Sequence, residues 1–369
     1  MARVVLAMSG GVDSSVAGHL LREDGHEVVG VFMRQGEPAA GPQAADTCRV
    51  APHAVNEPPR GGRGCCGAAD AEDARRVADA LDIPFYALDF QPQFARIVDY
   101  FVDEYARGRT PNPCIVCNRW LKFGKLFDYA DSVHAEFVAT GHYAQCLTHQ
   151  DGTRWLCRGL DPEKDQSYAL FGIDRRRLPR ILLPVGAFEK TRIRALASRL
   201  DLPVAEKRDS QDVCFVAPGQ HAQLVRHRRG DISTAGNLVT VDGNIVGRHD
   251  GIERFTVGQR KKLGVAMGEP YFVVRVDPAT CDVTIGRRED LARQQLTADS
   301  TNWLAPPPEH GFRCLAQIRY NSLPVAAQAR PLPGERLEVV FDEPTYGVAP
   351  GQAVVCYDGE RVLGGGWIE

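Results

Sequence analysis

Three cysteines of this chain sit where cysteine is an unusual choice. Cys114 and Cys117 form a C-x-x-C pair within Gly108-Arg109-Thr110-Pro111-Asn112-Pro113-Cys114-Ile115-Val116-Cys117-Asn118, a loop stiffened by two prolines. Cys214 lies in Asp209-Ser210-Gln211-Asp212-Val213-Cys214-Phe215, with Lys207 and Arg208 just upstream. Nearby cations can lower a thiol's pKa toward a nucleophilic thiolate. A lone cysteine reads first as a small core residue, but a rigid loop holding two thiols suggests sulfur chemistry or redox exchange. A second reactive element stands at the N-terminus. The apolar run Val4 to Met8 ends in Ser9-Gly10-Gly11-Val12-Asp13-Ser14-Ser15, and an amphipathic helix follows. Two glycines let the backbone approach a polyanion closely, and helix N–H groups with serine hydroxyls can bind it. The P-loop lysine is missing, while Asp13 suits a Mg2+ ion carried on pyrophosphate.

The elements that must position these groups follow from periodicity. Strands are expected at Val4–Leu6, Glu27–Met33, Phe85–Phe90 and Glu136–Thr140, with helices at Asp13–Glu23, Ala71–Leu81 and Phe94–Arg107. This alternation predicts an α/β fold with a doubly wound parallel sheet. Ligands of such sheets sit at the carboxyl ends of strands, where the serine-glycine loop, Met33 and Gly141-His142 all fall. From Arg34 to Gly67 the chain is rich in Gly, Pro and Ala without periodicity, which predicts an irregular insertion. Its Cys48, Cys65 and Cys66 do not match paired C-x-x-C zinc spacing. Beyond about residue 220, short alternating segments such as Leu238–Val241 before Asp242-Gly243, and later Leu337–Val340 and Ala353–Tyr357, predict a small β-rich domain and then a β-barrel. The expected domains are residues 1–220, 221–290 and 291–369.

Composition bounds the function. At 369 residues the chain is long enough for two or three cores, and its hydrophobic content of 44% with 25% charged residues is that of a globular protein. The N-terminal apolar run breaks at Ser9 without a basic leader, and no run approaches the roughly 20 apolar residues of a membrane span, so a cytoplasmic protein without membrane partners is expected. In that compartment the 11 cysteines should be mostly thiols. A net charge of −3 gives no global nucleic-acid signal. Basic residues nevertheless cluster at Arg175–Arg177, Lys190 to Arg194, Arg226–Arg229 and Arg260–Lys262, either as polyanion patches or as solvated surface.

The loop Ser9–Ser15 resembles the signature of PP-loop ATP pyrophosphatases, the adenine nucleotide alpha hydrolase type, which split ATP into AMP and pyrophosphate to adenylate a carbonyl oxygen. Taken with Gly30–Met33, the Gly108–Asn118 loop, Ala139–Tyr143, Asp161, Lys164–Tyr168, Asp209–Phe215, Val257–Lys261 and Pro350–Gln352, the chain resembles the tRNA-specific 2-thiouridylase family over nearly its whole length. The resemblance implies ATP contacts at Ala7, Met8, Ser9, Gly10, Gly11, Val12, Asp13, Ser14, Met33 and Gly141. It implies tRNA contacts at Asn112, Pro113, Cys114, His142, Lys164, Asp165, Gln166, Arg319, Tyr320 and Gln352. It further implies that Cys214 carries sulfur as a persulfide and that Cys117 is the nucleophile that releases it, leaving a Cys117–Cys214 disulfide for a reductant to reopen. The partners so implied are tRNA with its wobble uridine, a sulfur-relay or cysteine desulfurase protein, and that reductant; ATP and Mg2+ are the implied small molecules.

One departure from the family pattern is Cys114, where a common form carries aspartate. If Cys114, Cys117 and Cys214 meet in space they supply three ligands of a 4Fe-4S cluster, whose open iron could bind sulfide. The competing enzyme reading is a PP-loop ligase that transfers an amine to the adenylate, which needs no reactive thiol. A third is a nucleotide-binding module without catalysis.

Overall fold

The computed structural model describes residues 1–36, 67–209, 213–217, 219–230 and 232–369. The insertion expected from Arg34 to Gly67 falls outside them except at its ends, and Cys48, Cys65 and Cys66 with it.

The first layer is a parallel sheet. Strands β1 (Arg3–Ala7), β2 (Glu27–Arg34), β3 (Phe85–Asp89), β4 (Phe137–Thr140) and the short β7 (Ile181–Leu182) stand in the order β3-β2-β1-β4-β7. Every pairing in it is parallel, as in the register Val4↔Val28 on one side of β1 and Val4↔Phe137 on the other. Strand order reverses at β1, so the crevice between the carboxyl ends of β1 and β4 is the topological switch point. The apolar runs of β1 and β2 are buried on both faces, which such a sheet requires.

Helices cover both faces. In α1 (Val12–Glu23), Val12, Val16, Ala17 and Leu21 form the stripe buried against the sheet. Helix α2 (Ala68–Ala80) follows the insertion. The longest helix, α3 (Gln91–Ala106), buries Phe94, Ile97, Val98, Phe101, Val102 and Tyr105, the 3-4 spacing of one helical face. Each large side chain so buried contributes about 1.5–3 kcal/mol. Helix α4 (Pro113–Cys117) then passes into a π-helical stretch, Asn118–Lys125, before α5 (Leu126–Ser132). The wide stretch leaves carbonyls that Arg177 serves, donating to Phe123 O at 2.9 Å and Gly124 O at 2.6 Å. Helices α6 (Lys190–Arg199) and α7 (His221–Arg229) follow in the chain.

Two β-rich units follow. Strands β8 (Gly236–Thr240), β9 (Ile245–His249), β10 (Phe272–Val276) and β11 (Val283–Gly286) form a sheet in the order β10-β11-β8-β9 around Leu238, Ile252, Val273 and Ile285. Strands β12 (Ala292–Trp303), β13 (Phe312–Gln317), β14 (Val325–Leu332), β15 (Arg336–Tyr346), β16 (Ala353–Asp358) and β17 (Arg361–Ile368) close into a six-stranded barrel by the β12–β17 pairing. One feature was not foreseen. The hairpin of β5 (Ala144–Thr148) and β6 (Arg154–Arg158) leaves the first domain and extends the barrel sheet, with Cys157 opposite Arg361. The α/β domain and the barrel are thereby stitched through one sheet.

Candidate active site

The serine-glycine loop lies between β1 and α1, at the switch point. Gly11 caps α1 without any side-chain hydrogen bond to the first turn, so the leading backbone N–H groups of the helix keep their capacity for an anion. Ser14 and Ser15 hydroxyls both donate to Gly11 O, at 3.2 and 2.8 Å, and Ser9 N donates to Ser14 Oγ at 3.2 Å. These bonds set the loop's shape. Gly10 has φ +68°, and a Cβ there would fall 2.2 Å from Asp70 O in the first turn of α2. Gly141 is constrained from the opposite side, since a Cβ would fall 2.6 Å from Ser14 N. Ala7, Met8, Val12 and Met33 are buried around the loop, and the whole expected ATP set is contiguous in space except that Met33 stands one strand over, on β2.

Asp13 is engaged by donors on two elements. Its Oδ1 accepts from Tyr143 OH at 2.7 Å and from Lys190 Nζ at 2.7 Å, and Oδ2 accepts from Lys190 at 2.8 Å. Lys190 also reaches Asp209 Oδ1 at 2.8 Å, and Asp209 is further paired with Lys164 at 3.2 Å and Arg194 at 2.7 Å. Burial opposes ionisation of Asp209, but these three cations hold its carboxyl below the usual range. Burial, with Asp13 beside it, pushes the Tyr143 phenol far up, so it stays a hydrogen-bond donor. For Mg2+, the donor set fits: Asp13 and Asp209 offer the hard carboxylate oxygens this ion prefers, at the loop where pyrophosphate would lie.

Lys207 stands at the same loop. Its three donors go to Gly10 O at 2.8 Å, Asp70 Oδ1 at 2.7 Å and Asp73 Oδ2 at 2.7 Å, so its hydrogen bonds tie the serine-glycine loop to α2. Burial works against the ammonium, yet the two aspartates raise its pKa overall.

The thiol-bearing segments are both anchored on α3. Phe215, next to Cys214, packs edge-on against Phe94 and Phe101 at centroid distances of 5.4 and 5.2 Å. Cys214 Sγ donates to Gln35 Oε1 at 3.6 Å, just beyond β2. Cys117 ends α4, and Cys117 and Cys214 pack against the same apolar core; Cys114 is exposed. Asn112 caps α4, its Oδ1 accepting from Ile115 N at 3.3 Å, and Pro113 opens the helix as proline does at a first turn. Among the described residues no three His, Cys, Asp or Glu side chains are grouped to hold a metal ion. Cys114, Cys117 and Cys214, the expected ligands of a 4Fe-4S cluster, form no such group among the described residues.

Several residues expected at tRNA turn inward. Gln352 Nε2 donates to Thr110 O and Pro111 O, both at 3.1 Å, and Thr110 N donates to Pro350 O at 2.7 Å, so the Pro350-Gly351-Gln352 turn of the barrel braces the cysteine loop. Arg319 donates to Val257 O at 2.6 Å and Gly347 O at 2.9 Å, joining middle domain to barrel. Asp165 accepts from Arg158 at 3.1 Å, Gly159 N at 2.9 Å and Ser167 Oγ at 2.8 Å, and Gln166 Oε1 accepts from Tyr143 N at 2.9 Å. Lys164 faces Asp209. Tyr320 alone of the barrel set is well exposed, and its phenol pKa is raised, first by partial burial and then by Asp165 and Cys114.

His142 is buried, accompanied by a lysine that the sequence did not single out. Lys122 Nζ approaches His142 Nε2 at 3.4 Å, and His142 Nδ1 lies 2.6 Å from Thr140 Oγ1. Lysine only donates, which assigns the proton to Nδ1 and makes Thr140 its acceptor. Burial, then the Lys122 charge, lowers the His142 pKa well below 6.5. Lys122 is a site residue missed, whereas Lys190 stood only in a basic cluster and Tyr143 only at the end of a motif; the signal for Lys122 was its place five residues after Cys117, where a π turn brings it round.

The geometry agrees with what the chain is similar to. A family profile described as a tRNA methyl transferase HUP domain matches residues 2–218, a tRNA methyl transferase PRC-barrel domain residues 224–287, and an aminomethyltransferase beta-barrel domain residues 293–368. A Rhodopirellula baltica protein named tRNA-specific 2-thiouridylase MnmA is 54% identical over 395 residues, spanning 100% of this chain and 96% of its own. A Geotalea uraniireducens protein of the same name is 46% identical over 372 residues, spanning 100% of this chain and 95% of its own. Among solved structures, a 4-thiouridine synthetase in complex with RNA and ATP aligns at TM-score 0.35 and 18% identity over 58% of this chain and 44% of its own, too slight a likeness to carry an argument.

Proposed function

The chain belongs to the tRNA-specific 2-thiouridylase family and is a sulfurtransferase acting on tRNA uridine, and from that premise we propose how its residues divide the reaction. The observation that carries the reading is the bonding of the Cys214-bearing segment to the ATP loop: Lys207 to Gly10 O at 2.8 Å, and Asp209 to Asp13 through Lys190. Activation and sulfur delivery share one scaffold.

ATP binds with its phosphates on residues 9–14. The O2 of the wobble uridine attacks the α-phosphorus, the bond to the β-phosphate oxygen breaks, and pyrophosphate leaves with that electron pair. A Mg2+ ion held by Asp13 would supply charge neutralisation to the departing pyrophosphate. The uridine oxygen, a poor leaving group, has become part of AMP. A donor protein, a cysteine desulfurase or relay protein, first loads Cys214 as a persulfide. Its terminal sulfur attacks C2 of the adenylated base, forming C–S and expelling AMP. Cys117 thiolate then attacks the inner sulfur of Cys214, the S–S bond breaks toward the base, and 2-thiouridine departs from a Cys117–Cys214 disulfide. A dithiol reductant returns two electrons and two protons.

The tRNA must present an unstacked base, which an anticodon loop does more cheaply than a duplex. Exposed Tyr320 beside Cys114 offers a stacking surface there, while Asn112, Pro113, His142, Lys164, Asp165, Gln166, Arg319 and Gln352 shape and brace the pocket. The test is nucleoside mass spectrometry of tRNA from cells lacking the protein. Wobble 2-thiouridine should vanish, and its undiminished persistence overturns the reading. Iron analysis after anaerobic purification should find no stoichiometric iron; iron required for activity would replace the persulfide route by a cluster.

A further inference from the structure

Lys190 opens α6, and its side chain is only 8% exposed. Along the sequence it stands only as the first member of a basic cluster. Its ammonium nevertheless joins two motifs: both oxygens of Asp13, at 2.7 and 2.8 Å, and Asp209 Oδ1, at 2.8 Å. Its backbone N–H donates to Asp161 Oδ2 at 3.0 Å, which fixes the start of the helix. Around this centre stand Tyr143 on Asp13, with Lys164 and Arg194 on Asp209. Asp13 belongs to the ATP loop; Asp209 stands five residues before Cys214.

An ammonium has three donors, and here all three are taken by carboxylates from two separate parts of the site. A buried charge is held by its partners far more tightly than a solvated one, because water cannot replace a lost contact. Polyphosphate at residues 9–14 brings several negative charges beside Asp13, and they compete with Asp209 for the same ammonium. We infer that Lys190 is a positioning residue that couples nucleotide occupancy of the Ser9–Ser14 loop to the placement of Cys214, through Asp13 on one side and Asp209 on the other. Arg194 and Lys164 keep Asp209 charged and anchored when Lys190 shifts toward phosphate, so the response is a graded displacement. This rests on the reading that ATP is cleaved at that loop and that Cys214 carries the sulfur.

The experiment uses the full chain, reduced, as wild type, Lys190→Met, Lys190→Arg and Asp209→Asn. Iodoacetamide alkylation of Cys214 is timed by peptide mass spectrometry, with and without the Mg2+ complex of α,β-methylene-ATP, whose binding is measured separately by calorimetry. In the wild type the analogue should change the Cys214 rate by about fivefold or more, the size of an ordinary coupling between sites. In Lys190→Met the analogue should still bind and the ratio should fall to near one; in Asp209→Asn, read at analogue concentrations that saturate the loop, the ratio should fall likewise, and Lys190→Arg should keep most of it. Thiolation kcat should fall roughly tenfold or more in Lys190→Met, with a smaller change in KM for ATP. A wild-type rate indifferent to the analogue, or the wild-type ratio in both variants, overturns the inference. So does loss of analogue binding in Lys190→Met, which would make Lys190 a residue that holds the nucleotide and not one that couples it to Cys214. Absence of 2-thiouridine product from a wild type that shows the coupling counts instead against the proposed function.

Discussion

Cysteines occupy both the active cleft and the C-terminal barrel, and the two settings make them different residues. In the barrel, Cys356 is fully buried and Cys314 nearly so, inside an apolar core with Ala316, Phe341 and Val354. The Cys356 thiol donates toward Cys314, and that bond together with burial pushes its pKa well up. Cys146, on the hairpin that joins the barrel sheet, is pushed up to about 12 by burial. The raised thiols of Cys356 and Cys146 pack and do not react, while Cys314, which accepts the Cys356 bond, has its pKa lowered by it within the same core. In the cleft, Cys114 is exposed and Cys117 and Cys214 are half-buried; the loop of Cys114 and Cys117 is braced by the barrel through Gln352, and the Cys214 segment by α3 through Phe215. Reactivity is conferred by placement, and the residue type alone does not distinguish the two groups.

The strongest way to break this comparison is to remove cleft thiols. Cys117→Ser and Cys214→Ser should each lower thiolation at least about a thousandfold, since each takes away a nucleophile. tRNA-dependent pyrophosphate release should survive in at least one of them. Thiolation at wild-type rates in either would place the cleft cysteines with those of the barrel. Next in size is the brace between the two regions. Gln352→Ala removes two hydrogen bonds to the cysteine loop, each worth about 1 kcal/mol, so thiolation should fall roughly tenfold to thirtyfold while ATP affinity holds. Equal losses of both would mean that the turn supports the whole fold and not the loop.

Barrel thiols should behave as packing. Cys356→Ala should leave thiolation within about twofold and lower stability by roughly 1 kcal/mol in urea titration, the cost of a small cavity. The smallest effect concerns acid. His142 has a folded pKa well below its unfolded value near 6.5, so as pH falls through that value the unfolded chain takes up a proton that the folded chain refuses. Its stabilisation is therefore present above about pH 6.5 and lost below it. Hydrogen exchange at pH 5.5 should show cleft amides losing protection before those of the barrel, and His142→Gln should narrow the gap.

Much of the site was legible because its signals are local. The serine-glycine loop, the strand it follows and the helix it begins are encoded within about twenty residues, and the parallel order follows from alternation. The pairs Asp13–Lys190 and Gln352–Thr110 were not legible, because 177 and 242 residues separate their partners. The hairpin Ala144–Arg158 looks like part of the first domain until β17 is seen beside it. Inward-turned Arg319, Asp165 and Gln166 show the same limit: a polar motif fits a tRNA contact and a buried brace equally well until its partners are known.

The sequence by itself determined the chemical vocabulary of this protein: a loop for pyrophosphate, thiols in stiffened segments, and an α/β domain followed by two β-rich ones. Those are properties of residue type and short spacing, which backbone sterics and hydrophobic periodicity express wherever the segment lies. Tertiary structure decided which charges face which. One lysine holds both the serine-glycine loop and Asp209, five residues before Cys214, because electrostatic partnership depends on distance and burial, and neither is written along the chain.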